Sequence, residues 1–200
     1  MDIVQSVALA GGLAWASGIR LYAVLFTAGM LGRFGYLQLP ASLQVLENPL
    51  VLGVAGVMLT IEFLADKIPA VDSFWDGIQT FIRIPAGALL AALALGDHDP
   101  ALMIAAGLLG GTLTAGTHAA KAAGRALINT SPEPFSNITA SLGEDAMVAT
   151  GLFAAFNYPV LFLVLLGIFI VLLIWLLPKV FRGLRLVFDR LFTRTSDETW

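Results

Sequence analysis

The sequence predicts an all-α, polytopic membrane helix bundle with six spans. Hydrophobic residues make up 58% of its 200 residues, and charged residues only 12%. A soluble domain carries roughly 25% charged residues on its surface, so this chain has too few to cover itself in water. Apolar runs approaching the roughly 20 residues that cross a bilayer also follow one another between short polar breaks. Together these observations predict that lipid surrounds the protein.

Six apolar stretches are the predicted spans. Asn48-Pro49 starts the second, residues 83–85 interrupt the third, and residues 157–159 separate the fifth from the sixth. Pro178 is predicted to close the last one. The six stretches are residues 4–31, 50–65, 74–95, 101–127, 135–156 and 160–177.

The C-terminal segment sets the predicted orientation. Residues 1–178 form a single predicted transmembrane domain, and residues 179–200 form a basic tail. This tail has five Lys or Arg among apolar residues between Lys179 and Arg194, a pattern typical of an amphipathic helix on an anionic membrane surface. Basic segments stay in the cytoplasm, so six spans place both termini there, and we expect the inner membrane of a bacterium.

Two halves of the chain resemble each other, which predicts a 3+3 inverted repeat over residues 4–96 and 100–178. In the first half, Gly11-Gly12 precedes a small-residue stretch that ends at Arg20. In the second half, Gly110-Gly111 precedes a similar stretch that ends at His118. Three spans per half would give the halves opposite orientations, as in many transporters.

Ionisable residues occur inside several predicted spans. An unpaired Arg such as Arg20 at a helix centre costs about 2.5–3.5 kcal/mol even by the lower estimates, so it must face protein or water. Glu62 and Asp66 are four residues apart, and therefore share one helix face. His118, Lys121 and Arg125 share a face of another predicted span in the same way. We therefore expect these acidic and basic faces to pair, together with Arg20, Arg83, Glu144 and Asp145.

Proline-broken polar segments occur at corresponding positions of the two halves. In residues 62–76, Asp72 or Ser73 is predicted to cap a helix that begins at Phe74, and residues 85–87 to kink or break that helix. In residues 129–137, Ser136 or Asn137 is predicted to cap the fifth span. Interrupted segments at matching positions in two halves indicate a transporter binding site, although ordinary cytoplasmic loops would have the same composition.

Candidate binding residues are the polar and charged groups of these spans and connections. Two interpretations remain open: they line a polar cavity at mid-depth, or they form a closed ion-pair network that only holds the bundle together. The candidates are Ser17, Arg20, Glu62, Asp66, Lys67, Asp72, Asp76, Arg83, His118, Lys121, Arg125, Glu133, Asn137, Glu144 and Asp145.

Several kinds of site are not expected. The chain has no cysteine and only two histidines, so thiolate sites and conventional histidine-rich metal sites are excluded. No nucleophile–base pair stands out either. We therefore predict no metal, no cofactor, no enzymatic activity and no nucleic-acid partner.

Five stretches resemble a known family. They are residues 16–22, 62–69, 81–88, 131–137 and 141–145, within a region from about residue 5 to residue 160. In combination they resemble a bacterial family of small integral membrane proteins, catalogued only as domain of unknown function 4126. The resemblance implies a membrane location and supplies no substrate, cofactor or catalytic residue.

Three functions follow from these patterns as alternatives. The first is a small transporter or channel-like permease for a polar or ionic solute, with the carboxylates as proton or cation sites. The second is a non-catalytic scaffold whose charges hold helices together. The third is an enzyme that acts on a lipid phosphate with a metal held by the acidic residues between Asp66 and Asp76. Membrane lipids and a second copy of the chain in a homodimer are the other expected partners.

Overall fold

The computed structural model describes residues 1–66, 68–128 and 134–193, with backbone only at 69, 70, 72, 73, 134 and 184–193. These residues form six α-helices and one 3-10 helix without any strand, which confirms the predicted all-α class. In chain order the elements are α1 (Ile3–Arg33), the 3-10 helix (Ala41–Glu47), α2 (Pro49–Ala65), α3 (Pro69–Ala94), α4 (Pro100–Ile128), α5 (Pro134–Asn157) and α6 (Pro159–Thr193).

Proline is the first residue of every helix from α2 to α6. Proline fits there because the first turn needs no backbone N–H donor and its φ is already helical. The predicted start of α3 at Phe74, after a cap by Asp72 or Ser73, is therefore wrong, since Ile68 is extended and the helix begins at Pro69. Likewise, α5 begins at Pro134 and not after a cap at Ser136 or Asn137.

Two prolines lie inside helices that were predicted to break or end at them. Pro85 lies within α3 and Pro178 within α6, which continues to Thr193. A proline removes one backbone hydrogen bond, but a long membrane helix tolerates that loss. Residues 194–200 and the side chains of 184–193 lie outside the described part of the chain, and the predicted amphipathic tail depends on them.

The backbone of α1 leaves helical geometry at one residue, Arg20, whose φ and ψ are −145° and 79°. This break divides α1 into a first half, residues 3–19, and a second half, residues 21–33. At about 1.5 Å per residue, the first half is about 25 Å long. It therefore extends most of the way through a hydrocarbon core about 30 Å thick.

The first half of α1 packs against α4 and α3. Thr114 donates a hydrogen bond to the Ala14 carbonyl at 2.8 Å and Lys121 to the Ile19 carbonyl at 3.2 Å, so α4 runs parallel to it. A Cβ on Gly18 would lie 2.6 Å from the Thr114 carbonyl oxygen, so only glycine permits this approach. The short turn after α3 makes α3 antiparallel to α4, and therefore to the first half of α1.

The second half of α1 packs against α2. Gly29 lies against Leu52 and Phe26 against Gly56, while Arg20 pairs with Asp66 just after α2. Thus α2 is antiparallel to this half and runs towards Arg20. The Glu62–Arg83 ion pair then requires α3 to return alongside α2.

These directions mean that α1 folds back at Arg20. Its second half is antiparallel to α2, α2 is antiparallel to α3, and α3 is antiparallel to the first half of α1. Contacts near both ends of α1 agree with this. Near its start, Ser6 forms a hydrogen bond with His98, just after α3. Beyond its end, Ser42 of the 3-10 helix donates a hydrogen bond to the Leu93 carbonyl, near the end of α3. Both ends of α1 therefore lie at one end of the bundle. We call the other end, where α1 turns and α2 finishes, the Arg20 end.

The described helices do not by themselves account for the six predicted membrane spans. Four of the described helical segments are long and apolar enough to cross a membrane: Ile3–Arg33, Phe74–Ala94, Pro100–Ile128 and Pro159–Gly183. A fifth results if Ala41–Glu47 and Pro49–Ala65, bent by 65°, count as one span. Six spans are thus not confirmed. The inverted repeat is not confirmed either, since 78% of the most apolar part of α1 is buried and only 17% of that of α4.

Candidate functional site

The break in α1 places the Arg20 side chain in the protein interior, where it is fully buried. Its Nη2 lies 2.7 Å from Asp66 Oδ2, and its Nε lies 2.9 Å from Asp145 Oδ1 on α5. Nη2 also donates to the Ser141 hydroxyl, which in turn donates to Asp66 Oδ2 at 3.3 Å. One arginine thus joins α1, α2 and α5.

A second fully buried arginine, Arg83 of α3, pairs with Glu62 of α2 and with Asp76 at 3.0 Å. Its Nη1 also lies 3.1 Å from His118 Nδ1. Because arginine can only donate, Nδ1 must accept and the His118 proton must be on Nε2. That nitrogen then donates to Thr80 Oγ1, 2.7 Å away. The geometry therefore assigns a neutral His118 with a fixed tautomer.

Two cations of α4 connect these arginine clusters. Lys121 Nζ lies 3.4 Å from Asp76 Oδ1 and 3.5 Å from Glu144 Oε2. Arg125 binds both Glu144 oxygens, at 2.8 and 3.0 Å, and lies 3.5 Å from Asp66. All these contacts form one connected set of charges near the Arg20 end of the bundle. We call this set the ion network; its members are Arg20, Glu62, Asp66, Asp76, Arg83, Lys121, Arg125, Glu144 and Asp145.

The ion network is buried but not neutral. Among the described side chains it joins four cations to five carboxylates, while His118 is neutral. Seven members are buried, and only Glu144 and Asp145 have side chains with appreciable exposure, 13% and 36%. A charge removed from water is strongly unfavourable unless it is paired. Among the described side chains, carboxylates therefore outnumber cations by one, and Lys67, next to Asp66, lies outside them.

Some buried atoms of the site have no hydrogen-bond partner among the described residues. The oxygens are Glu62 Oε2, Asp66 Oδ1, Asp76 Oδ2 and Gln79 Oε1, and the nitrogens include Arg20 Nη1, Arg83 Nε and Asn137 Nδ2. Buried polar atoms are normally satisfied. Donors and acceptors both remain unpartnered, so these atoms indicate no preference for a ligand of either charge.

A cavity of about 240 Å³ lies against the network between α4, α5 and α6. Lys121, Arg125 and Glu144 line it together with apolar residues, including Met147 and Phe169. Phe169 also lines two further cavities along α6, of about 430 and 400 Å³. Only 11% of the most apolar part of α6 is buried, so these cavities lie beneath a helix whose apolar surface is mostly exposed.

Most of the candidate residues meet in this site. The nine members of the ion network were all candidates, and two more contact it: Asn137 through Arg125 and His118 through Arg83. Ser17 is buried, but its hydroxyl donates to the Leu13 carbonyl of its own helix. Lys67 and Glu133 lie outside the described residues, as does the side chain of Asp72.

The expected partners meet in this site. The basic face of α4 contacts acids, since Lys121 pairs with Asp76 and Arg125 with Asp66. Glu62 pairs with Arg83, another of the expected partners, and His118 accepts a hydrogen bond from the same arginine.

Some contributors to the site were not among the candidates. Ser141 contacts both Arg20 and Asp66, Thr80 fixes the His118 tautomer, and Gln79 donates to the Tyr22 hydroxyl at 3.2 Å. Ser141 could have been found, because it lies four residues before Asp145 and so shares its helix face. The Ile19 carbonyl accepts a hydrogen bond from Lys121. The break in α1 at the next residue makes this carbonyl available as an acceptor.

The carboxylates of the site are committed to cations of the protein. Among the described residues, no three His, Asp or Glu side chains are grouped so that they could hold a metal ion. Asp66 and Asp76, on which the lipid-phosphate alternative depends, each pair with two basic side chains.

Comparison with known proteins identifies a family but no relative of known activity. The family model described as Domain of unknown function (DUF4126) matches residues 7–179. No curated protein and no solved structure matches the chain. The match includes the whole ion network and ends at the start of the basic tail.

Proposed function

The chain belongs to this family of unknown function, and we propose from its geometry that it is a small transporter or channel-like permease for a polar or ionic solute. The observation that carries the proposal is the break of a buried helix at Arg20, where the unwound residue itself enters a network of nine charges. Non-helical backbone at membrane depth is tolerated only inside protein or beside water. Discontinuous helices with charges at the break are typical of transporter sites.

The cavity beside the network supports transport over a purely structural role. A closed scaffold has no need of space beside its charges, yet about 240 Å³ lies against Lys121, Arg125 and Glu144. Glu144 and Asp145 are also partly exposed, so the network is accessible from the α5 side. A solute in the cavity would be in contact with the network.

The proposal includes a membrane topology. We infer that α1, although long and apolar enough to cross, enters and leaves at the same face, and that α2 to α6 cross the membrane. This count includes α5, which is not among the helices that are apolar enough on their own. The Arg20 end would be cytoplasmic, because the basic part of α6 begins at Lys179, and the neighbouring Val180 lines a cavity with Ala123 and Leu127 in the last part of α4. The chain would then lie in a bacterial inner membrane. The N-terminus would then be outside. This topology replaces the predicted six spans with cytoplasmic termini, and it has no place for a 3+3 repeat.

A scaffold remains the second candidate, because one observation favours it. Each of the four cations in the network lies within 4 Å of at least two carboxylates. Breaking such pairs is strongly destabilising, as expected of a structural network. A scaffold, however, would carry no flux.

Proton flux into proteoliposomes tests the transport proposal. Under an imposed potential and pH gradient, we expect faster acidification of the lumen than in protein-free liposomes, measured with a trapped pH-sensitive dye. Glu62→Gln and Asp66→Asn should each slow it, because each removes a carboxylate that pairs with a buried arginine of the network.

The exposed Asp97 provides the matched control, since it lies at the opposite end of the bundle. Asp97→Asn should leave the flux unchanged. If the unmodified protein acidifies no faster than protein-free liposomes, the chain is not a proton-linked transporter and the scaffold is favoured. If both network variants match the unmodified protein, the carboxylates have no part in transport.

A further inference from the structure

Three buried cations converge on the carboxylate of one residue, Glu144 of α5. Arg125 donates to it from Nε at 2.8 Å and from Nη2 at 3.0 Å, in the two-bond geometry by which a guanidinium recognises a carboxylate. Lys121 Nζ and Arg20 Nη2 lie 3.5 and 3.7 Å from Glu144 Oε2. These donors together form a site for one carboxylate, and the chain's own Glu144 fills it.

Glu144 is also the carboxylate of the ion network that a solute can replace most easily. Its side chain is 13% exposed and lines the cavity at the network, whereas Glu62 and Asp66 are fully buried. Asp145 is more exposed, but it is not among the described residues that line this cavity. Glu144 can therefore turn away towards the exposed side of α5 while the buried cations stay in place.

The charge of the cavity wall favours an anion over a cation. Among the described residues that line it, Lys121 and Arg125 are positive and Glu144 is negative. When Glu144 turns away, the donors that it leaves are buried without an acceptor, which is strongly unfavourable. A second carboxylate in the same position restores these bonds. A cation there would meet both positive charges, and Arg125 already binds both oxygens of Glu144.

Apolar space continues from this cavity along α6. Met147 and Phe169 line both the cavity of about 240 Å³ at the network and a second cavity of about 430 Å³. Trp15 and Phe162 also line the second cavity, and Trp15 packs edge-on against Phe162 and Phe169, with ring centroids 6.3 and 6.2 Å apart. We call these two adjoining cavities the α6 crevice. A solute that extends from the network into the second cavity therefore needs an apolar tail.

We propose that the α6 crevice binds an amphiphilic monocarboxylate, a carboxylate group with a hydrocarbon tail, in exchange for Glu144. The carboxylate of the solute accepts from Arg125 and Lys121 in place of Glu144, and its tail lies beside Phe169. This assignment names the solute class for the proposed transporter and therefore rests on that function. A small hydrated anion would leave the apolar part of the crevice unused, and a neutral lipid would not replace the carboxylate.

Three small probes test the two parts of the proposed solute. Octanamide has the tail of octanoate without its charge, and acetate has the carboxylate without the tail. For the full chain in phosphatidylcholine nanodiscs, we expect saturable binding of radiolabelled octanoate by equilibrium dialysis, with empty nanodiscs as the baseline. Octanamide and acetate should each compete about tenfold or more weakly than unlabelled octanoate. Competition by either probe that equals that of octanoate would overturn the proposal.

Removal of the internal carboxylate should improve binding. Glu144→Gln keeps the shape of the side chain but not its charge, so octanoate competes with a weaker acceptor and should bind about tenfold or more tightly. Because this is a gain, a loss of folded protein cannot produce it. Asp145→Asn is the matched control, since it removes the same charge from the next residue, which pairs with Arg20, and it should change binding far less. No gain in Glu144→Gln, or an equal gain in both variants, would overturn the exchange.

Proton flux in proteoliposomes without octanoate distinguishes the two proposals. Proton flux without saturable octanoate binding in nanodiscs would contradict the solute class and leave the transporter intact. Saturable octanoate binding without proton flux would support the site and contradict proton-linked transport.

Discussion

Replacing Arg20 with methionine should destabilise the folded protein by about 3–5 kcal/mol, the usual effect of removing one partner from a buried ion pair. Asp66 is fully buried, and among the described residues it would keep one cationic partner, Arg125, at 3.5 Å in place of the contact at 2.7 Å. Asp145 would lose its ion-pair partner. Reversible unfolding in mixed micelles, followed by circular dichroism, measures the change.

Two companion variants define the origin of the Arg20 effect. Arg20→Lys should recover only part of the loss, because one ammonium cannot reproduce the divergent contacts of a guanidinium with Asp66 and Asp145. Arg33→Met is the matched control, since Arg33 is exposed and donates only to the Glu47 carbonyl. An Arg20→Met protein as stable as the Arg33→Met protein would show that the network at the break does not support the fold.

Replacing Arg83 with methionine should also cost about 3–5 kcal/mol, and a second change should restore much of it. Arg83→Met leaves Glu62 buried without its ion-pair partner, whereas Asp76 keeps Lys121. In Arg83→Met/Glu62→Met both buried charges of this pair are absent, and two apolar side chains occupy the space. The double variant should therefore be more stable than Arg83→Met, by mixed-micelle unfolding.

One result of this double-mutant cycle would contradict the prediction. If the two single effects simply add, the side chains do not interact and the direct Glu62–Arg83 pair is absent in solution. The pair Arg83 and Asp97 gives the control cycle, because exposed Asp97 lies in the turn after α3, at the opposite end of the bundle from the ion network. There the effects should be additive.

The sequence was sufficient to predict the fold class and the positions of most helices. Low charge and repeated apolar runs predicted the all-α membrane class, and the predicted stretch 50–65 differs from α2 by one residue at its start. Proline was the strongest sequence signal for a helix start, since it is the first residue of α2 to α6. Proline misled the prediction inside α3 and α6, because Pro85 and Pro178 do not end these helices. Neighbouring protein or lipid stabilises a helix at a proline that would end it in water.

The break at Arg20 could not be predicted, because no local sequence signal specifies it. No proline is near, and Gly18 is as compatible with a straight helix as with a broken one. Contacts distant in sequence stabilise the turn: Gly18 packs on Thr114, and Lys121 binds the Ile19 carbonyl. Tertiary structure thus converts a stretch long enough to span the membrane into a helix that turns back.

The sequence predicted which residues belong to the site better than it predicted which of them form ion pairs. Helical spacing alone placed Glu62 with Asp66 on one face, and His118, Lys121 and Arg125 on another. Which cation meets which carboxylate depends on helix directions, and these follow from the fold-back of α1. Arg83 therefore reaches Glu62, a contact that the sequence cannot distinguish from the other pairings.

Cysteine labelling tests the central claim, that α1 turns back at Arg20 and carries its charge into the network. The chain has no cysteine, so single cysteines can be placed at exposed Asp2, Tyr36 and Arg182 and labelled in sealed vesicles with a membrane-impermeant maleimide. We predict that Asp2→Cys and Tyr36→Cys react from the same side of the membrane, and Arg182→Cys from the other. Reaction of Asp2→Cys and Tyr36→Cys from opposite sides would show that α1 crosses the membrane, and would contradict the claim.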